Sequence, residues 1–131
     1  MTTNTTLIAV NGTLMRDLEL NPNMVAVNAQ FVCEGHTDAC YRLWSIGERH
    51  PAMIRVKTGG AQVALELWRV PMEGLGTLLL GEPAGLSIGK VRLADGSEVL
   101  GVIGEPWLVE GQPEITRFGG WRAYIAQRQA S

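Results

Sequence analysis

Several things are scarce in this sequence, and each shortage closes off a class of function. There is no basic excess: 11 Lys and Arg face 13 Asp and Glu, for a formal net charge of -2. A surface that tracks nucleic-acid phosphates is therefore not expected. There are only two cysteines, too few for a disulfide framework, so both are expected as reduced thiols in a cytoplasmic protein. Long hydrophobic runs are missing. One long uncharged stretch, residues 20–33, holds Asn21, Pro22, Asn23, Asn28 and Gln30. A bilayer span needs about 20 mostly apolar residues, so no membrane partner is expected. Residues 1–6 are polar and carry no basic run, which argues against a secretion signal. Phe and Tyr number two each.

What is present is a chain of 131 residues, 46% hydrophobic and 18% charged, with 16 glycines. The length suits one globular domain over residues 1–131. The glycines predict tight turns and close backbone approaches. Strands are expected at 7–10, 29–34, 41–46, 53–57, 62–70, 86–93 and 98–103. Residues 35–39 have the length of a hairpin loop between the second and third strands, and Asp95-Gly96 is a stronger hairpin signal. Asn21-Pro22-Asn23 reads as a turn or the start of a short helix. Helices are expected at 72–80 and 121–128, with 104–111 irregular. The sum is an α+β fold with a small, bent, mixed barrel-like sheet and two or so short helices. Without βαβ alternation a dinucleotide-binding fold is not expected.

Two segments have the residue types for chemistry. Asn11-Gly12-Thr13-Leu14 follows the first strand. Such a turn can leave backbone N–H groups pointing outward as a nest for a carboxylate, with Arg16 able to add charge. On spacing alone, a plain Asn-Gly turn is the simpler reading. Glu82 lies between Gly81 and Pro83, after an apolar helix. In an apolar pocket its carboxyl can titrate near working pH and serve as general acid/base; otherwise it is a solvated loop residue. Glu66 alternates with Trp68 along a strand. If it faces inward it needs a partner such as Arg55 or Arg69. Cys33, His36, Asp38 and Cys40 have zinc-binding types but not zinc spacing, and no metal or other cofactor is expected. His50, alone before Pro51, reads as a rim residue. Trp121 and Tyr124 are expected to pack the last helix onto the sheet.

These pieces resemble the γ-glutamylcyclotransferase-like superfamily. The likeness rests on Val10-Asn11-Gly12-Thr13-Leu14, Tyr41-Arg42-Leu43, Pro51-Ala52-Met53, Glu66-Leu67-Trp68, the helix at 72–80, and Glu82. It implies a pocket lined by the first loop and this glutamate, with the loop backbone holding substrate and the carboxyl moving protons. Within the superfamily the chain is most similar to the C-terminal domain of allophanate hydrolase. The marks are Ile8-Ala9-Val10, Gly60-Ala61, Leu67-Trp68-Arg69-Val70-Pro71, Ile88-Gly89-Lys90-Val91 and Ile115-Thr116-Arg117-Phe118-Gly119-Gly120-Trp121-Arg122-Ala123-Tyr124. They span about residues 7–126.

That domain's first loop reads Gly-Ala-His-Leu, so its imidazole is missing here. Conversely, Glu82 stands where that domain has an apolar residue. The resemblance implies binding of a small carboxylate-bearing, urea- or carbamate-type metabolite, with its breakdown alongside a separate amidase protein. A cyclotransferase releasing 5-oxoproline, with Glu82 as acid/base, is the second reading. A non-catalytic binding or assembly module is the third. Apolar strand edges are compatible with a homodimer.

Overall fold

The computed structural model describes residues 4–130; residues 1–3 of the polar N-terminal segment, and Ser131, lie outside the described residues. β1 (Thr5–Val10) is the central strand. It pairs antiparallel with β5 (Ala64–Pro71) and parallel with β7 (Glu98–Gly104). Strands on both sides, and cover on both faces, explain why Ile8, Ala9 and Val10 form an unbroken apolar run and are each 1% exposed. β2 (Gln30–His36) and β6 (Leu86–Arg92) are the edges, in the order β2-β5-β1-β7-β6.

The sheet is mixed and strongly bent. At one end, a single bridge from Thr37 to Leu93 pinches its two edges together. Asp38 N–H donates to Arg92 O and Ala94 N–H to His36 O, each at 3.0 Å. No ladder continues that contact, so the barrel stays open among the described residues. This is the α+β architecture expected from the sequence, with short helices α1 (Asn21–Ala26), α2 (Leu75–Leu80), α3 (Pro106–Val109) and α4 (Trp121–Ala130) around it.

Three local expectations are corrected. Residues 35–39 do not close a hairpin: β2 pairs with β5, while β3 (Tyr41–Ile46) pairs with β4 (His50–Arg55) in a separate two-stranded sheet. The fourth strand thus begins at His50, ahead of residue 53. Its position follows the turn before it, where Gly47 and Glu48 both have positive φ and Arg49 N–H donates to Ile46 O at 3.0 Å. Residues 104–111 contain α3, where Pro106 provides a pre-set φ at a helix start. The Asp95-Gly96 hairpin joins β6 and β7 as expected.

The small hairpin packs across the open barrel. Gly104 makes this possible, because a Cβ there would lie 2.8 Å from Ala52 Cβ. Buried Tyr41 and Leu43 extend the core into β3. Trp121 is 3% exposed and packs α4 onto the core. Tyr124 is only half-buried; its ring lies against Phe118 and Trp121, and its hydroxyl donates to the Glu48 carboxylate at 2.7 Å.

Candidate functional site

The first loop leaves β1 between β7 and the small hairpin. Asn11 is 4% exposed, and its Nδ2 donates to Val102 O on β7 at 2.9 Å. That bond makes Asn11 a strut for the loop. Gly12 lies against the Pro51 ring, where a Cβ would come within 2.6 Å of Pro51 Cδ, so no larger residue fits without movement. The loop's carbonyls turn toward the protein. Gly12 O accepts from Met15 N–H at 3.0 Å, Thr13 O from Leu20 N–H at 2.9 Å, and Leu14 O from Asn21 Nδ2 at 2.9 Å. The amides of Gly12, Thr13 and Leu14 donate to no other group among the described residues. A run of free N–H groups on a buried loop is an anion-holding arrangement.

Glu82 reaches this loop from the far side of the sequence. Its N–H donates to Leu79 O at 3.2 Å as α2 ends. Its Oε1 is buried without a hydrogen-bond partner. Burial pushes the carboxyl up to about 7, from an ordinary value of 4.5. Asn11, Gly12, Thr13, Leu14 and Glu82 line one inner pocket of about 10 Å³, closed by Pro51, Leu86 and Val102. That volume suits about one water molecule or one small substrate group. The pocket meets an outer cleft of about 450 Å³, which shares Thr13, His50 and Glu82 and is flanked by Glu19 and Arg49. The structure thus brings together all five residues singled out as site candidates.

His50, expected as a rim residue, does lie at the rim of the site. It borders both the inner pocket and the outer cleft. Nothing near it in sequence signals this, because Pro51 packing on Gly12 carries it there.

Arg16 points away from the pocket. Its guanidinium stacks 3.7 Å over the Phe31 ring and pairs with Glu34 and Glu66. Glu66 does face inward, but its partners are Arg16 and Arg122, not Arg55 or Arg69. Arg55 pairs with Glu98, and Arg69 lies 3.4 Å from the Thr5 hydroxyl. Glu66 Oε1 accepts from Arg16 N–H at 3.0 Å and from Trp68 Nε1 at 3.1 Å. Its Oε2 accepts from Arg16 Nε at 3.1 Å and Arg122 Nη2 at 3.0 Å. Burial alone would raise this carboxyl, but the donors together hold it below the usual range. The cluster anchors the chain just beyond the loop, and Arg122 also donates to Arg16 O at 2.5 Å. Cys33 and Cys40 are free thiols, and no metal-holding cluster of His, Cys, Asp or Glu occurs among the described residues.

A bent mixed sheet with a few short helices around it has the γ-glutamylcyclotransferase-like fold. Residues 6–126 match the family model of the allophanate hydrolase C-terminal domain, and the chain belongs to that family. It is 32% identical over 125 residues to urea amidolyase of Saccharomyces cerevisiae, covering 90% of this chain and 7% of that protein. Among solved structures it is similar to a uropathogenic E. coli-specific protein, with 62% identity and a TM-score of 0.93 over 94% of this chain and 97% of that one. It is also similar to Kluyveromyces lactis allophanate hydrolase, with 31% identity and a TM-score of 0.89 over 95% of this chain and 21% of that one. A structure of an aig2-like protein from Mus musculus, at 20% identity and a TM-score of 0.63 over 86% of this chain and 87% of that one, shares the fold alone. No helix among the described residues is long and apolar enough to cross a membrane.

Proposed function

We propose that the pocket binds a small carboxylate-bearing metabolite of the urea or carbamate type and breaks it down by proton transfer from Glu82. The supporting observation is the buried, unpartnered Glu82 Oε1 beside the free amides of Gly12, Thr13 and Leu14. An unpaired buried carboxyl is costly, and a carboxyl titrating near 7 is suited to giving and taking protons.

In this reading the substrate is an N-carboxylate. Its C–N bond breaks, carbon dioxide leaves, and the electron pair goes to nitrogen. Neutral Glu82 supplies the proton that nitrogen takes. The loop amides act best on the neighbouring carbonyl oxygen, which gains negative charge as the bond breaks. Donors spent on the departing carboxylate would hold the ground state as firmly as the transition state. The larger relatives are named for allophanate and urea chemistry, so allophanate is the first compound to try. A separate amidase protein in the cytoplasm, removing the amide nitrogen of allophanate as ammonia, would supply a related N-carboxylate, N-carboxycarbamate.

Purified protein incubated with allophanate should release urea and carbon dioxide. Glu82→Gln should lower the rate by about 10²–10⁴-fold with the fold intact by circular dichroism. Full activity in that variant sinks the role of Glu82.

One observation favours a second reading. A carboxyl at this position, facing a substrate-holding loop, is also what cyclotransferase chemistry uses. Glu82 would take a proton from an attacking α-amine and return it to the leaving amine, forming 5-oxoproline. The same preparation assayed with γ-glutamyl amides separates the two by product.

A further inference from the structure

We propose that His50 is the proton relay of this site, passing protons between the outer cleft and Glu82. The inference rests on the acid/base reading of Glu82 and extends it to a residue on a different element. His50 opens β4 and borders both cavities. Its place over the pocket is fixed twice. Pro51, the next residue, is packed against Gly12, and Ile46 pairs with His50 across the tight turn.

The imidazole has a defined tautomer. His50 Nδ1 lies 3.1 Å from Pro51 O. A carbonyl oxygen only accepts, so the proton of this bond sits on Nδ1. Nε2 is then the nitrogen available for exchange, and it bonds to no other group among the described residues. The charged groups bordering His50 are Glu82 on the inner side, with Glu19 and Arg49 along the outer cleft. No ion pair forms between His50 and Glu82 within 4.0 Å. The inner pocket has room for about one water to connect them.

The chemistry calls for such a relay. Breaking an N-carboxylate into amine and carbon dioxide consumes one proton per turnover. Glu82 delivers it and is left as a carboxylate inside a pocket of about 10 Å³. Imidazolium His50 gives the proton on Nε2 to that carboxylate, directly or through the bridging water. Neutral His50 then takes a proton from solvent in the outer cleft, while Nδ1–H stays on Pro51 O. The imidazole lacking from the first loop is thereby supplied from β4. A cyclotransferase consumes no net proton, so the relay is specific to the N-carboxylate reading.

Two measurements test this. In the first, Glu82 and His50 are titrated by NMR in wild type, His50→Gln and Glu82→Gln, with exposed His36 as internal reference. Glu82→Gln should change the pH-dependent signal of the His50 imidazole, and His50→Gln that of the Glu82 carboxyl. Signals unchanged from wild type overturn the relay whatever the enzyme assay shows. In the second, His50→Ala is assayed on allophanate. The rate should fall about 10²-fold, and added imidazole should restore part of it. Undiminished turnover, or a loss that imidazole does not rescue, overturns the relay. Coupled titrations in a wild type that leaves allophanate intact uphold the proton exchange and overturn the assigned reaction.

Discussion

Replacing Glu82 with glutamine is expected to make the protein more stable above pH 7, not less. In the unfolded chain this carboxyl releases its proton near 4.5, whereas burial in the fold holds it to about 7. Between those values the folded state binds more protons than the unfolded state. Stability contributed by this group is therefore fully present below pH 4.5 and is lost as pH rises through 7. The gap corresponds to about 3 kcal/mol by pH 8. Glutamine has nearly the same shape and no charge to bury, so it should track wild type at pH 4.5 and exceed it at pH 8. Urea denaturation at the two pH values measures the difference. Equal wild-type and variant stability at both would mean that Glu82 is hydrated, and the pocket would lose its acid/base candidate. A residue whose removal stabilises the fold while abolishing turnover is the pattern expected where function requires a strained site.

The opposite result is expected at Glu66. Glu66→Ala should lower stability by about 3 kcal/mol, because it leaves Arg16 N–H and Trp68 Nε1 without their acceptor. It also frees two guanidinium groups from one buried carboxylate. Their side chains are 40% and 42% exposed, so water can take over part of the solvation and the loss stays below that of a fully buried pair. The pH dependence also reverses. Donors hold Glu66 below its ordinary value, so its contribution is present above about pH 4.5 and is lost as pH falls through the lower folded value. Denaturation of the variant at pH 7 is the check, and a loss under about 1 kcal/mol would mean the cluster is a surface network of little consequence. Because the Arg16 amide ends the segment that begins at Gly12, KM for a pocket ligand should rise in Glu66→Gln even where the fold survives.

Much of this was legible without coordinates. Tyr41–Ile46 reads as a strand with its observed bounds, and in the fold buried and half-buried residues alternate through all six positions. Asp95-Gly96 announces the β6–β7 hairpin, since Gly96 takes the positive φ that its turn demands. Loop length does not make a β2–β3 hairpin. Residues 35–39 could turn the chain, but β2 finds its partner in β5, about thirty residues on, and length alone does not reveal which edge is free.

The sequence by itself determined the α+β class, the membership signal in Ile115 to Tyr124, and two short segments, Asn11 to Leu14 and Gly81 to Pro83, with the residue types for chemistry. Those features are local: a turn, a cap or a strand period is set by neighbours a few residues away. Only the tertiary structure decided which of those residues share a cavity. Glu66 shows why. Leu65 and Glu66 point to opposite faces of β5, yet they are 2% and 1% exposed, so a period of two cannot say which face is inside. Its partners Arg16 and Arg122 lie 50 and 56 residues away, where no local pattern points to them. His50 is the other case. It shares a cavity with Glu82 only because the small hairpin folds back until Pro51 meets the bare backbone of Gly12, a contact between residues that no sequence period connects.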